Sequence, residues 1–167
     1  MKIKEMLPTM VTMGNIMCGF FAILCVSSQR LEIAAWLIVA AMALDAFDGR
    51  LARMMKSTSM IGAQLDSMAD LVTFGIAPAM LMIKTCTNFP VVFLWSVGLF
   101  FMICAALRLA RFNVQKDESV NMPRHFFTGL PTTLSGGTIA QLVILNHFVQ
   151  IRYGSNMVIM LLPFITF

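Results

Sequence analysis

Apolar residues in this chain form long runs rather than stripes. They cover roughly residues 8–28, 31–49, 60–83, 89–107 and 126–149, each near the ~20 residues a helix needs to cross the hydrocarbon core of a bilayer. A helix resting on a soluble core keeps a polar face along its length. These runs show little of one, so the pattern predicts five transmembrane helices. A sixth run, SNMVIMLLPFITF, has thirteen residues before the chain stops. That run is either a half-span or, the favoured expectation, a sixth helix left incomplete with the natural terminus further on. The start, MKIKEMLPTMVTMGNIMCGFFAILCVSSQ, has the basic tip and apolar run of a secretory signal. That run extends about twenty residues without a small-residue cleavage site, so a retained first span is expected.

Composition agrees with the pattern. Of 167 residues, 59% are hydrophobic and only 12% charged, and the mean hydropathy is +0.83. Soluble domains average about 25% charged residues, so the economical solvent for this chain is lipid. One helical membrane domain over residues 1–167 is expected, with no room for a second folded unit. No internal repeat or low-complexity tract is evident. The one sizeable hydrophilic loop expected is NVQKDESVNMPRH, residues 113–125.

The net charge of +4 reports topology rather than a nucleic-acid partner. With the N-terminus in the cytoplasm, the inner side collects Lys2, Lys4, Arg50, Arg53, Lys56, Arg108, Arg111, Lys116 and Arg124. Arg30, Lys84 and Arg152 fall outside. Nine against three, of the twelve present, obeys the positive-inside bias. Cys18, Cys25, Cys86 and Cys104 have no metal-ligand spacing and read as packing residues. His125 reads as an interfacial loop residue and His147 as a polar group at a helix end. The sixteen methionines read as packing and lipid-facing residues.

The polar residues that matter lie in one stretch, DAFDGRLARMMKSTSMIGAQLDSMAD, residues 45–70. It holds four of the chain's eight acidic residues: Asp45, Asp48, Asp66 and Asp70. Asp45 and Asp48 share one helix face at i,i+3, and Asp66 and Asp70 share another at i,i+4. The polar segment between them turns the chain, so the two faces meet near the inner interface. Ionised groups near lipid cost several kcal/mol by most reckonings, and Arg53 alone does not balance four carboxylates. Hard oxygen ligands without His or Cys suit Mg²⁺, Mn²⁺ or Ca²⁺. Two such ions about 4 Å apart clamp the attacking and leaving oxygens of a displacement at phosphorus. Gly49, Ala52, Gly62 and Ala63 let backbones approach and leave room for a ligand. Arg53 reads either as a phosphate partner or as an interfacial anchor.

Written with its spacers, the stretch is DxxDGxxAR, eight residues, then GxxxDxxxD. Its fixed positions, Asp45, Asp48, Gly49, Ala52, Arg53, Gly62, Asp66 and Asp70, resemble the signature of the CDP-alcohol phosphotransferase family of membrane enzymes. The resemblance implies an all-α integral membrane protein built as a six-helix transmembrane bundle, usually a homodimer. It also implies two divalent cations, Mg²⁺ or Mn²⁺ with Ca²⁺ able to occupy the site, in a cytoplasm-facing cavity. By that resemblance Asp45, Asp48, Asp66 and Asp70 bind metal and Asp70 also serves as general base. Gly49, Ala52, Arg53 and Gly62 line the nucleotide site. LVTFGIAPA (71–79), ALRLARFN (106–113) and FTGLP (127–131) further resemble the phosphatidylserine synthase branch. So does PTMVTMGNIMCG, with Thr12, Asn15 and Gly19 in place, and Asn15 is thereby expected at the nucleotide. The sequence departs from the branch at PTM, where PN is common, and at GLPTT, where a second proline is common.

The implied reaction is CDP-diacylglycerol plus L-serine giving phosphatidylserine and CMP at the cell membrane, by metal-assisted direct displacement. No Cys, His or Ser motif advertises a covalent intermediate. Serine carries a carboxylate, which a guanidinium fork suits. Arg108 and Arg111, with Asn113 near, are the candidates, and Phe74 and Gly75 are expected to shape the acceptor pocket. Two rivals stand beside this. One is a relative using glycerol phosphate or inositol phosphate as acceptor. The other is a cation transporter, which has no need of Gly49, Ala52, Arg53 and Gly62 at those spacings.

Overall fold

The chain folds back on itself first at a tight turn between two 25-residue helices, α1 (Ile3–Ser27) and α2 (Leu31–Met55). Gln29 adopts a left-handed φ of 62°. Its N–H donates to the Val26 carbonyl at 3.1 Å, and the Arg30 N–H donates to the Cys25 carbonyl at 2.9 Å. This pair of bonds is a Schellman closure, satisfying two carbonyls at the end of α1.

The structure is a computed structural model. It describes residues 3–55, 60–86, 89–118 and 132–153, and the side chains of 10–47, 50, 62, 64–86, 89–114 and 132–148. After α2 the elements are α3 (Met60–Asp70), a π turn (Leu71–Ile76), α4 (Ala77–Thr85), α5 (Val91–Glu118) and α6 (Thr132–Tyr153). All described elements are helical. Asp70 and Ala77, flanking the π turn, both keep right-handed helical angles, so α3, the turn and α4 form one continuous rod. Within it the Ala77 N–H reaches back five residues to the Val72 carbonyl. Pro78, at the start of α4, has no N–H to return to the turn before it, a position a helix start tolerates.

Among the described residues, three helices are long and apolar enough to cross a membrane: Met10–Ser27, Gln64–Thr85 and Val91–Val114. In α2 the uncharged stretch runs only from Ile33 to Leu44 before Asp45 interrupts it. In α6, Ser135, Gln141, Asn146 and His147 dilute the apolar residues. The helix expected over 89–107 continues to Glu118, which corrects the expected loop: residues 113–118 are helical. A helix does not need lipid to persist, and Gln115, Lys116 and Glu118 are good helix formers. The rest of that loop, with His125, lies outside the described residues.

Large apolar side chains point outward along α1 and α5, among them Met17, Phe20, Trp95 and Leu99. An apolar exterior of this extent suits a lipid solvent. Small residues fill the interior between α1 and α2, where Ala22, Ala34, Ala35 and Ala41 are fully buried, so the two helices pack closely. The π turn sits in the middle and touches α1, α2, α5 and α6. Thr73, Phe74 and Gly75 are buried there. At the far end, His147 of α6 lies 3.6 Å from Glu32 of α2. Both are well exposed, so the pair adds little to stability. All four cysteines are free. Cys86, just past α4, is buried, and burial pushes its thiol up to about 11, the inertness expected of a packing cysteine.

Candidate active site

Asp45 comes from α2, and Asp66 and Asp70 come from α3. Each is half-buried, and one carboxylate oxygen of each lies within 4.8 Å of the others. Asp66 and Asp70 stack one turn apart on one face of α3, and from there their carboxylates reach the carboxylate of Asp45 on α2. Asp48 lies three residues beyond Asp45 on α2, and its side chain is outside those described, as are Gly49, Ala52 and Arg53. Gly62 is half-buried, one turn before Asp66.

These donors fit a divalent cation. Oxygen ligands sit roughly 2.0–2.6 Å from Mg²⁺ or Ca²⁺, so two on one ion stand no more than about 5 Å apart. Three oxygens within 4.8 Å meet that condition. The donor set is all carboxylate, the chemistry that hard cations take.

Asn15 of α1 brings a neutral donor to the cluster. It is 2% exposed, and its Nδ2 donates to Asp70 Oδ1 at 3.5 Å. Its own Oδ1 is buried without a partner among the described residues, a costly state unless a ligand donor satisfies it. The Thr73 hydroxyl donates to the Asn15 backbone carbonyl at 3.2 Å. Three residues before Asp70 on α3, Ser67 Oγ donates to Asn113 Oδ1 at 3.1 Å. Asn113 is thus tied to the residue next to Asp66. Arg108 is half-buried and Arg111 exposed, one turn earlier on the same helix. Phe74 is fully buried in the π turn, packed beneath Gly136.

Sequence reasoning named Asn15, Asn113 and the aspartates but gave no role to Thr73, Ser67 or Gly136. Thr73 stands three residues after Asp70, the last position of the signature, and that spacing alone could have singled it out. Gly136 and Gly137 form a pair inside a helix, where glycine costs about 1 kcal/mol against alanine. Such a pair signals close backbone approach.

Comparison with known proteins follows the same lines. The family model for CDP-alcohol phosphatidyltransferase matches residues 5–166. A protein of Helicobacter pylori J99 named CDP-diacylglycerol–serine O-phosphatidyltransferase is 34% identical over 151 residues, covering 86% of this chain and 60% of its own. One of the same name from Mycobacterium tuberculosis H37Rv is 35% identical over 153 residues, 90% of this chain and 52% of its own. Another, from Bacillus subtilis 168, is 37% identical over 131 residues, 78% of this chain and 71% of its own. The chain therefore spans about half to two-thirds of the length of these relatives.

Proposed function

This chain belongs to the CDP-alcohol phosphatidyltransferase family, and from that premise we propose that it transfers the phosphatidyl group of CDP-diacylglycerol to L-serine, releasing CMP. The observation that carries the reading is the meeting of Asp45, Asp66 and Asp70, from two helices, within 4.8 Å. That meeting occurs inside the family's own signature. The acceptor is read from the names of the relatives above, whose resemblance extends beyond the signature.

In the proposed site Asp45, Asp48, Asp66 and Asp70 hold two divalent cations, Mg²⁺ or Mn²⁺. When bound, such ions neutralise charge on the pyrophosphate and on the departing CMP. The serine hydroxyl attacks the lipid-side phosphorus. A phosphorus–oxygen bond to serine forms, the bond to CMP breaks, and the hydroxyl proton passes to the Asp70 carboxylate. Asn15, with its buried Oδ1 unsatisfied, is suited to accept from a nucleotide donor. Gly49, Ala52, Arg53 and Gly62 line the nucleotide side. Arg108 and Arg111 supply guanidinium forks for the serine carboxylate, and Asn113, fixed by Ser67, borders the same space. Phe74 backs the site from the core.

The reading extends to a six-helix membrane bundle that pairs as a homodimer, with the acidic ends of α2 and α3 on the cytoplasmic side. Water-soluble serine and CMP then exchange there, while the lipid tails stay in the bilayer between helices. A panel of acceptors tests the reading. The purified full chain, given CDP-diacylglycerol and Mg²⁺ or Mn²⁺, is expected to release CMP with L-serine and not with glycerol phosphate or inositol phosphate. Release with a phosphorylated alcohol alone would move the protein to another branch. Ion flux in vesicles, with no CMP released in the presence of any acceptor, would favour a transporter.

A further inference from the structure

The π turn places a hydroxyl three residues after Asp70, and α1 is shaped to receive it. Asn15 and Gly19 lie one turn apart on the same face of α1. The Asn15 carbonyl already has a helical donor within α1, and its second lone pair accepts from Thr73 Oγ1 at 3.2 Å. A Cβ on Gly19 would run into Thr73 Oγ1 and lie 3.0 Å from both Thr73 Cα and Cβ. Only a residue without a side chain lets the π turn come this close. The same Asn15 then donates through Nδ2 to Asp70 Oδ1 at 3.5 Å. Asn15 is thus fastened twice to the rod that carries Asp70, at Asp70 itself and at Thr73. Thr73 is fully buried and Asn15 2% exposed, so solvent does not compete for the bond between them.

We infer that Thr73 is a positioning residue for the Asp70 carboxylate, acting through Asn15, with Gly19 as the gap that makes the bond possible. Without the hydroxyl, α1 and the rod are free to slide against each other at this point. The Asn15 amide then loses its fixed distance to Asp70. The inference rests on the proposed role of Asp70 in cation binding and proton removal.

Thr73→Val keeps the side chain's shape and removes its hydroxyl, and Thr73→Ser keeps the hydroxyl. Gly19→Ala keeps the Thr73 hydroxyl but forces Thr73 away from α1. Two readouts apply to the full chain in detergent: Mn²⁺ affinity by electron paramagnetic resonance, and serine-dependent CMP release resolved into kcat and KM. Thr73→Val and Gly19→Ala are expected to weaken Mn²⁺ binding several-fold. Both are expected to lower kcat on the order of tenfold, with KM for serine little changed, since small misplacements of a reacting group act on rate. Thr73→Ser is expected to recover both readouts. Wild-type Mn²⁺ affinity in Thr73→Val overturns the inference whether or not any CMP is released. Equal losses in the Val and Ser variants also overturn it, because packing alone then explains Thr73. If no form of the protein releases CMP but the Mn²⁺ pattern holds, the proposed reaction falls and the positioning role stands.

Discussion

Two neighbouring glycines on α6 make opposite predictions from the same substitution. A Cβ on Gly136 would lie 2.6 Å from the Phe74 carbonyl oxygen and 2.9 Å from Phe74 Cα. Carbon atoms settle at about 3.5 Å or more from their neighbours, so α6 and the π turn must separate by roughly 1 Å. Both colliding partners are backbone, and neither can rotate away. Overpacking of this kind costs about 1–3 kcal/mol. The displacement reaches the π turn four residues from Asp70, and a 1 Å error in a catalytic group costs up to about a hundredfold in rate. A Cβ on Gly137 instead meets Met42 Sδ at 2.6 Å, the flexible end of an adaptable side chain. Gly137→Ala should therefore be nearly neutral, helped by the better helix propensity of alanine. Thermal melting in detergent and serine-dependent CMP release read both effects. The expected result is a lower melting temperature and a kcat reduced by ten- to a hundredfold, on the order allowed by such displacements, in Gly136→Ala alone. Equal stability and rate in the two variants would refute the claim that the π turn is held by α6.

Asp70→Asn is expected to abolish CMP release while CDP-lipid still binds, measured with labelled lipid; turnover near the wild-type rate would remove Asp70 as the base. Gln29→Gly relieves a left-handed residue that a side chain strains, and should raise stability by about 1 kcal/mol in thermal melts, with activity unchanged. Mg²⁺ added to EDTA-treated protein should raise the melting temperature, because a ligand bound only to the folded state stabilises it. The same addition should do much less in Asp66→Asn.

Much of the site could be read from the sequence because its geometry is local. Asp66 and Asp70 share a helix face by spacing alone, and Asp45 sits on the helix that precedes theirs in the chain. The meeting of Asp45, Asp66 and Asp70 was therefore legible, and so was the membrane class from long apolar runs. The π turn was not. LVTFGI reads as ordinary span, and the extra residue per turn depends on how Thr73, Phe74 and Gly75 pack against α1, α5 and α6. Helix ends were also misjudged where apolar character stops but backbone hydrogen bonding does not. α5 runs on through residues 113–118 because water tolerates a polar helix as readily as a loop. The Thr73–Asn15 bond joins residues 58 apart, and no periodicity announces such a pair.

The central claim is that Asp45, Asp66 and Asp70 act together on divalent cations to split a CDP-lipid. Its most direct test is CMP release by the full chain with CDP-diacylglycerol and L-serine, first in EDTA and then after Mg²⁺ or Mn²⁺ is restored, with Asp66→Asn alongside. The account predicts no release in EDTA, recovery on adding the metal, and none from the variant under either condition. Serine-dependent release that continues in EDTA, or that survives the loss of the Asp66 carboxylate, would contradict it.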